Sequence, residues 1–187
     1  MWHVLLLFSV AFGHLLIRLA EFYMERLNRP FLAHSGAQEL PRAPYIRMYI
    51  LYTLAVIAAP MEYIYQGYPE GDYMLVGGMI LFLSLVLRVW CIHLLGRMWS
   101  LFGVYIEGVA SVRSGPYRHL AHPEYVSRLL EVIGVMIIFS ALSLTPVFLI
   151  FFLVSMVKVV SLEGRQVKKL AYRGEKIDLS PSLQSKA

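Results

Sequence analysis

Two histidines, two tyrosines and several glycines crowd into one polar segment of the chain. It reads Leu95-Gly96-Arg97-Met98-Trp99-Ser100, then Gly108 to Ser114, then Gly115-Pro116-Tyr117-Arg118-His119-Leu120-Ala121-His122-Pro123-Glu124-Tyr125. Glycine lets the backbone approach a ligand closely. Proline suits the first turn of a helix, so His122-Pro123 opens one, and the free amides there can seat an anionic or polar group. His119 or His122 could act as a general base. Glu124, Arg128 and Glu131 follow at spacings of four and three, one helix face aimed into an apolar run. Ionisable groups in a bilayer face protein or a cavity, so Arg128 and Glu131 are expected either to line a cavity or to form internal ion pairs. Physically, the segment is a site for a small ligand.

The elements that must position these residues are membrane helices. Hydrophobic residues make up 58% of the 187-residue chain and only 16% is charged, too apolar for an ordinary soluble domain. Apolar runs predict spans at about 2–20, 45–65 (with Pro60 as a kink), from 73 to at least 90, 123–141 and 145–161. The last two come from one run, 126–160, too long for a single crossing and broken at Ser140-Ala141-Leu142-Ser143-Leu144-Thr145-Pro146. Turn formers (Asn28-Arg29-Pro30, His34-Ser35-Gly36, Pro41 to Pro44) mark 21–44 as a polar connection. The expected fold is all-α: one integral membrane domain of about five transmembrane helices, with helices one to three in 1–94 and the polar ligand-site segment, helices four and five and a C-terminal helix in 95–187. The first twenty residues lack a basic leader and a cleavage site, so they are read as a retained span.

Lysine and arginine cluster in the first and third connections and at the C-terminal end, while the second and fourth connections have none. Basic residues favour the cytoplasmic side, which predicts N-terminus out and C-terminus in, and puts the polar segment at the cytoplasmic face of a bacterial inner membrane or endoplasmic reticulum. The net charge of +5 reflects this bias and contact with anionic lipid; no nucleic-acid motif accompanies it. His14, Arg18, Glu21 and Glu25 share one face of the first span and read as internal ion pairs, and Glu62 stands near the outer end of the second. Cys91, the sole cysteine, is read as a small core residue, and no metal site is expected.

Gly115, Tyr117, Arg118, His122, Pro123 and Tyr125, preceded by Leu95, Gly96, Trp99 and Ser100, resemble the motifs of the isoprenylcysteine carboxyl methyltransferase family and its phospholipid methyltransferase relatives. The resemblance covers 95–172. It places Glu163 where the family opens its terminal helix with a Glu-Glu pair. It departs at Ala121, where the family has arginine, at Gly164, the second glutamate, and at Val109 and Ala110, where a lysine or histidine often stands. The departures point to a divergent substrate or a weakened site.

What the resemblance implies is an S-adenosylmethionine-dependent methyltransferase acting on a carboxylate or hydroxyl oxygen of a lipophilic small molecule or prenylated substrate that enters from the bilayer. The cofactor pocket would lie between 108–125 and a helix starting near Glu163. It would be formed by Gly115, Tyr117, His122, Pro123, Tyr125 and Glu163, with backbone groups near Ser111 and Val112. Arg128 and Arg165 are candidates for steering an anionic head group, and His119 for a base. Two alternatives stay open: an NADPH-dependent membrane reductase of the sterol type, and a non-catalytic membrane protein.

Overall fold

The computed structural model describes residues 2–67, 73–106 and 112–172. Among them are five α-helices: α1 (Trp2–His34), α2 (Arg42–Tyr65), α3 (Met74–Leu95), α4 (Pro123–Ile138) and α5 (Thr145–Tyr172). Two 3-10 turns, Gly96–Met98 and Gly115–Arg118, shape the α3–α4 connection, and its strand β2 (Val104–Tyr105) pairs antiparallel with β1 (Gln38–Glu39). The all-α class is as the apolar runs predict. Arg42–Tyr65, Met74–Met98 and Thr145–Arg165 are each long and apolar enough to cross a membrane, so the chain is an integral membrane protein. At 16 residues, α4 is about 24 Å long, short of a full crossing.

α2 and α5 pack antiparallel. Tyr45 meets Glu163 at one end, and Glu62 meets the start of α5 at the other. Tyr45 and Glu62 lie about 26 Å apart along α2, close to the thickness of a hydrocarbon core. The Glu62 carboxylate accepts the backbone N–H groups of Ser143 at 2.5 Å, Leu144 at 2.9 Å and Thr145 at 3.3 Å. These amides have no partner within their own helix, so Glu62 caps α5 from a neighbouring element. The break predicted at 140–146 is where α4 ends and α5 begins.

α3 and α4 touch backbone to backbone through Gly77 and Gly134. A Cβ built on Gly134 would lie 2.9 Å from the Leu81 nitrogen and 3.0 Å from the Gly77 oxygen. Small residues permit such close helix packing where no hydrophobic force drives association. Gly134→Val is therefore expected to lower stability by about 1–3 kcal/mol. Gly78→Val, whose Cβ meets open space, should leave it nearly unchanged; thermal denaturation in detergent compares the two.

α1 corrects the expectation of a short first span. It runs unbroken to His34, through Pro30 and the stretch read as a polar connection. The reason is tertiary. The Asn28 amide donates to the carbonyls of Gly96 at 3.2 Å and Trp99 at 2.8 Å, and the Glu25 carboxylate accepts the Leu101 N–H at 2.6 Å. His14, Glu21, Glu25 and Asn28 are buried while Leu15, Leu16, Leu19 and Phe22 are exposed, so α1 turns its polar face inward and its apolar face outward.

That inward face completes a buried ionic network. His14 Nδ1 is 2.9 Å from Glu131 Oε1, and Arg88 Nη1 is 2.7 Å from Glu131 Oε2 and 3.5 Å from Glu21 Oε1. Arg18 Nη1 is 2.7 Å from Glu21 Oε2. Of the two residues, Glu131 takes the internal pairing role, while Arg128 makes no ion pair among the described residues. Glu131 is held by His14 and Arg88. Arg128 donates to the Tyr49 hydroxyl, with its guanidinium 4.6 Å from the Tyr49 ring centre and 5.7 Å from that of Tyr125. Neither lines the cleft described below. A buried charge keeps its low-energy state through such partners.

Candidate active site

The N-terminal turns of α2 and α4 meet α5 at one end of the bundle, and the meeting point is Glu163. Its Oε1 accepts the hydroxyls of Tyr45 at 2.8 Å and Tyr125 at 2.7 Å; its Oε2 lies 3.0 Å from His122 Nδ1. The rings of His122 and Tyr125 stack with centroids 5.4 Å apart. The Glu163 and His122 side chains keep 21% and 30% of their surface open, so the cluster is reachable from outside.

Local sequence sets each position. His122 precedes Pro123, which occupies the first turn of α4 and starts the helix there. Tyr125 follows within that turn and points back at His122. Gly115 begins the 3-10 turn with φ +53°, and a Cβ there would lie 2.8 Å from Leu94 and 3.2 Å from the Trp90 ring. Only glycine suits that backbone and that approach. Pro116, within the turn, is buried. The half-buried Tyr117 places its phenol beside Glu124 and the Cys91 thiol, and burial pushes that phenol above its ordinary range, so it stays neutral.

The structure thus brings His122, Tyr125 and Glu163 together, on a scaffold supplied by Gly115, Pro123 and Tyr117. It does not bring in His119 or Arg165. His119 is exposed at the end of the 3-10 turn, and Arg165, exposed on α5, makes none of the Glu163 contacts. Ser111 lies outside the described residues; Val112 is half-buried. One expectation is corrected. No separate helix starts near Glu163, because α5 continues through it from Thr145.

Tyr45 is the member that reading the sequence missed. A signal exists: Tyr45, Tyr49 and Tyr52 recur at four and three within an apolar helix, and buried phenols need partners. Each has one, in Glu163 of α5, Arg128 of α4 and Arg88 of α3.

The Glu163 hydrogen bond holds the His122 imidazolium above its ordinary pKa, against the opposing effect of burial. With the folded value raised, the pair's contribution to stability is complete below the unfolded value near 6.5 and is lost as pH climbs through the folded value. Melting temperature measured from about pH 6 to pH 9 should fall across that window, and His122→Gln should flatten this component.

A profile of the isoprenylcysteine carboxyl methyltransferase (ICMT) family matches residues 76–168, which contain α4, most of α5 and both His122 and Glu163. The chain belongs to the isoprenylcysteine carboxyl methyltransferase family. It is 29% identical over 137 residues to uncharacterized protein YpbQ of Bacillus subtilis (strain 168), covering 72% of this chain and 80% of that protein. No solved structure matches it significantly. Membership in the isoprenylcysteine carboxyl methyltransferase family makes S-adenosylmethionine-dependent methyl transfer the family-level activity.

Proposed function

We propose that the protein transfers a methyl group from S-adenosylmethionine to an oxygen of a lipophilic, membrane-borne acceptor, at the end of the bundle where Glu163 lies. The observation that carries this reading is the convergence of Tyr45, His122 and Tyr125 on one carboxylate.

The donor set fits the cofactor. Glu163 Oε1 is filled by two phenols, but Oε2 has one partner, which leaves a lone pair for an ammonium group. S-adenosylmethionine, when bound, supplies an electrophilic methyl on a sulfonium. Glu163 would hold the ammonium of its amino-acid part, with the charge-assisted bonds from Tyr45, Tyr125 and His122 fixing the carboxylate beforehand. The stacked faces of His122 and Tyr125, and that of Tyr117, would pack on the flat or cationic parts of the cofactor. Gly115 would admit it close to the backbone, with Val112 and Ser111 contributing from the segment before it.

Methyl transfer is an in-line displacement, so the main contribution of these residues is alignment at near-attack distance. A carboxylate acceptor needs no base. For a hydroxyl, His119 is exposed on the same turn and available to take the proton. Arg128, enclosed by Tyr49 and Tyr125, would act by holding the Tyr125 ring in place. The acceptor would enter laterally from the bilayer, with N-terminus out and C-terminus in, so that the site opens to cytosolic cofactor.

Calorimetry on detergent-purified protein tests this. S-adenosylhomocysteine should bind and NADPH should not. Binding of NADPH alone would replace the reading with a reductase, and binding of neither would leave a non-catalytic protein.

A further inference from the structure

Beside the Glu163 cluster, the seam between α2 and α5 holds a cleft of about 330 Å³. Pro44 and Arg47 line it from α2, and Ser155, Lys158, Ser161 and Arg165 from α5. Arg47, Lys158 and Arg165 are exposed, and none of them belongs to an ion pair among the described residues. The acid nearest to them in sequence on α5, Glu163, gives its oxygens to Tyr45, Tyr125 and His122 instead. Three cations therefore share one concavity without a counter-charge among the described residues.

The surroundings of the cleft are apolar. Ile46, Ile50 and Leu54 on α2 are exposed, as are Ile150, Val154 and Val157 on α5, the last of which also lines the cleft. Both helices are candidate membrane spans, so these side chains face acyl chains. A basic hollow at the end of an apolar seam matches an amphiphile with an anionic head. We infer that this cleft binds the phosphate headgroup of an acidic membrane phospholipid, its chains lying along the α2–α5 seam. A zwitterionic head would bring its own cation against Arg47, Lys158 and Arg165, so the cleft selects a head with net negative charge. The volume suits a phosphate with a small polyol, and the site is independent of the methyl-transfer reading.

Full-length protein in detergent, titrated with dioleoylphosphatidylglycerol and followed by native mass spectrometry, tests the inference. Saturable binding is expected, with dioleoylphosphatidylcholine and free glycerol phosphate much weaker. The variant Arg47→Gln/Lys158→Gln/Arg165→Gln should lose on the order of a hundredfold in affinity, about fivefold per cation. Arg26→Gln/Arg97→Gln/Arg113→Gln, which removes three exposed arginines elsewhere, should lose little. If the first triple variant does not fold, Lys158→Glu alone at its exposed position should still give a loss of at least about fivefold. Equal losses in both triple variants, or no loss in Lys158→Glu, would mean diffuse attraction and overturn the site. So would phosphatidylcholine binding as well as phosphatidylglycerol. Glycerol phosphate binding as tightly as the lipid would make it a site for a soluble anion and reject the lipid assignment.

Discussion

Glu163→Gln is expected to weaken S-adenosylhomocysteine binding by about ten- to a hundredfold while the protein stays folded. Hydrogen bonds to a charged group contribute about 1.5–3 kcal/mol each, and the substitution removes the charge that an ammonium group would meet. The amide keeps the shape of the carboxylate and one accepting oxygen. It loses the acceptor that faces His122 Nδ1, 3.0 Å away, so the imidazole loses its partner too. Tyr45 and Tyr125 still have an oxygen to reach, which is why the fold should survive. Isothermal calorimetry beside a melting curve separates the two effects. An unchanged affinity with an unchanged melting temperature would remove Glu163 from the binding site.

Arg88→Ala should have the largest effect on stability in the molecule, about 3–5 kcal/mol. Arg88 is 3% exposed, within a membrane span, and bridges Glu131 on α4 and Glu21 on α1 while donating to Tyr52 of α2 at 3.2 Å. Its loss leaves two buried carboxylates facing each other with one cation fewer. Breaking a buried pair from one side is costlier than removing both partners. The double variant Arg88→Met/Glu131→Gln should accordingly recover part of the loss. Denaturation of the single and double variants in the same detergent measures this, and a double variant less stable than Arg88→Ala would contradict the network's role.

Much of this organisation was legible in the sequence. Apolar runs located the helices, and the Ser140–Pro146 break separated α4 from α5. The stripe of His14, Arg18, Glu21 and Glu25 announced internal pairing: Arg18 forms an ion pair with Glu21 and the His14 ring hydrogen-bonds to Glu131, while Glu25 accepts a backbone N–H instead. The His-Pro step and Glu163 pointed to side chains that do meet. What escaped depended on distant partners. Tyr45 acquires its meaning from a carboxylate 118 positions away. Arg88 stands alone in an apolar run until Glu21 and Glu131 converge on it. The continuation of α1 past Ala20 rests on Asn28 and Glu25 finding backbone groups at 96–101, partners that local propensity does not register. Arg165, expected to steer an anionic head group, sits on the neighbouring cleft and not in the Glu163 cluster.

The acceptor is where the central claim is most exposed. Purified protein incubated with methyl-labelled S-adenosylmethionine and a membrane lipid extract should place label in the organic phase, and Glu163→Gln should suppress it. No labelled lipid, together with no binding of S-adenosylhomocysteine by the unaltered protein, would contradict the methyltransferase reading outright.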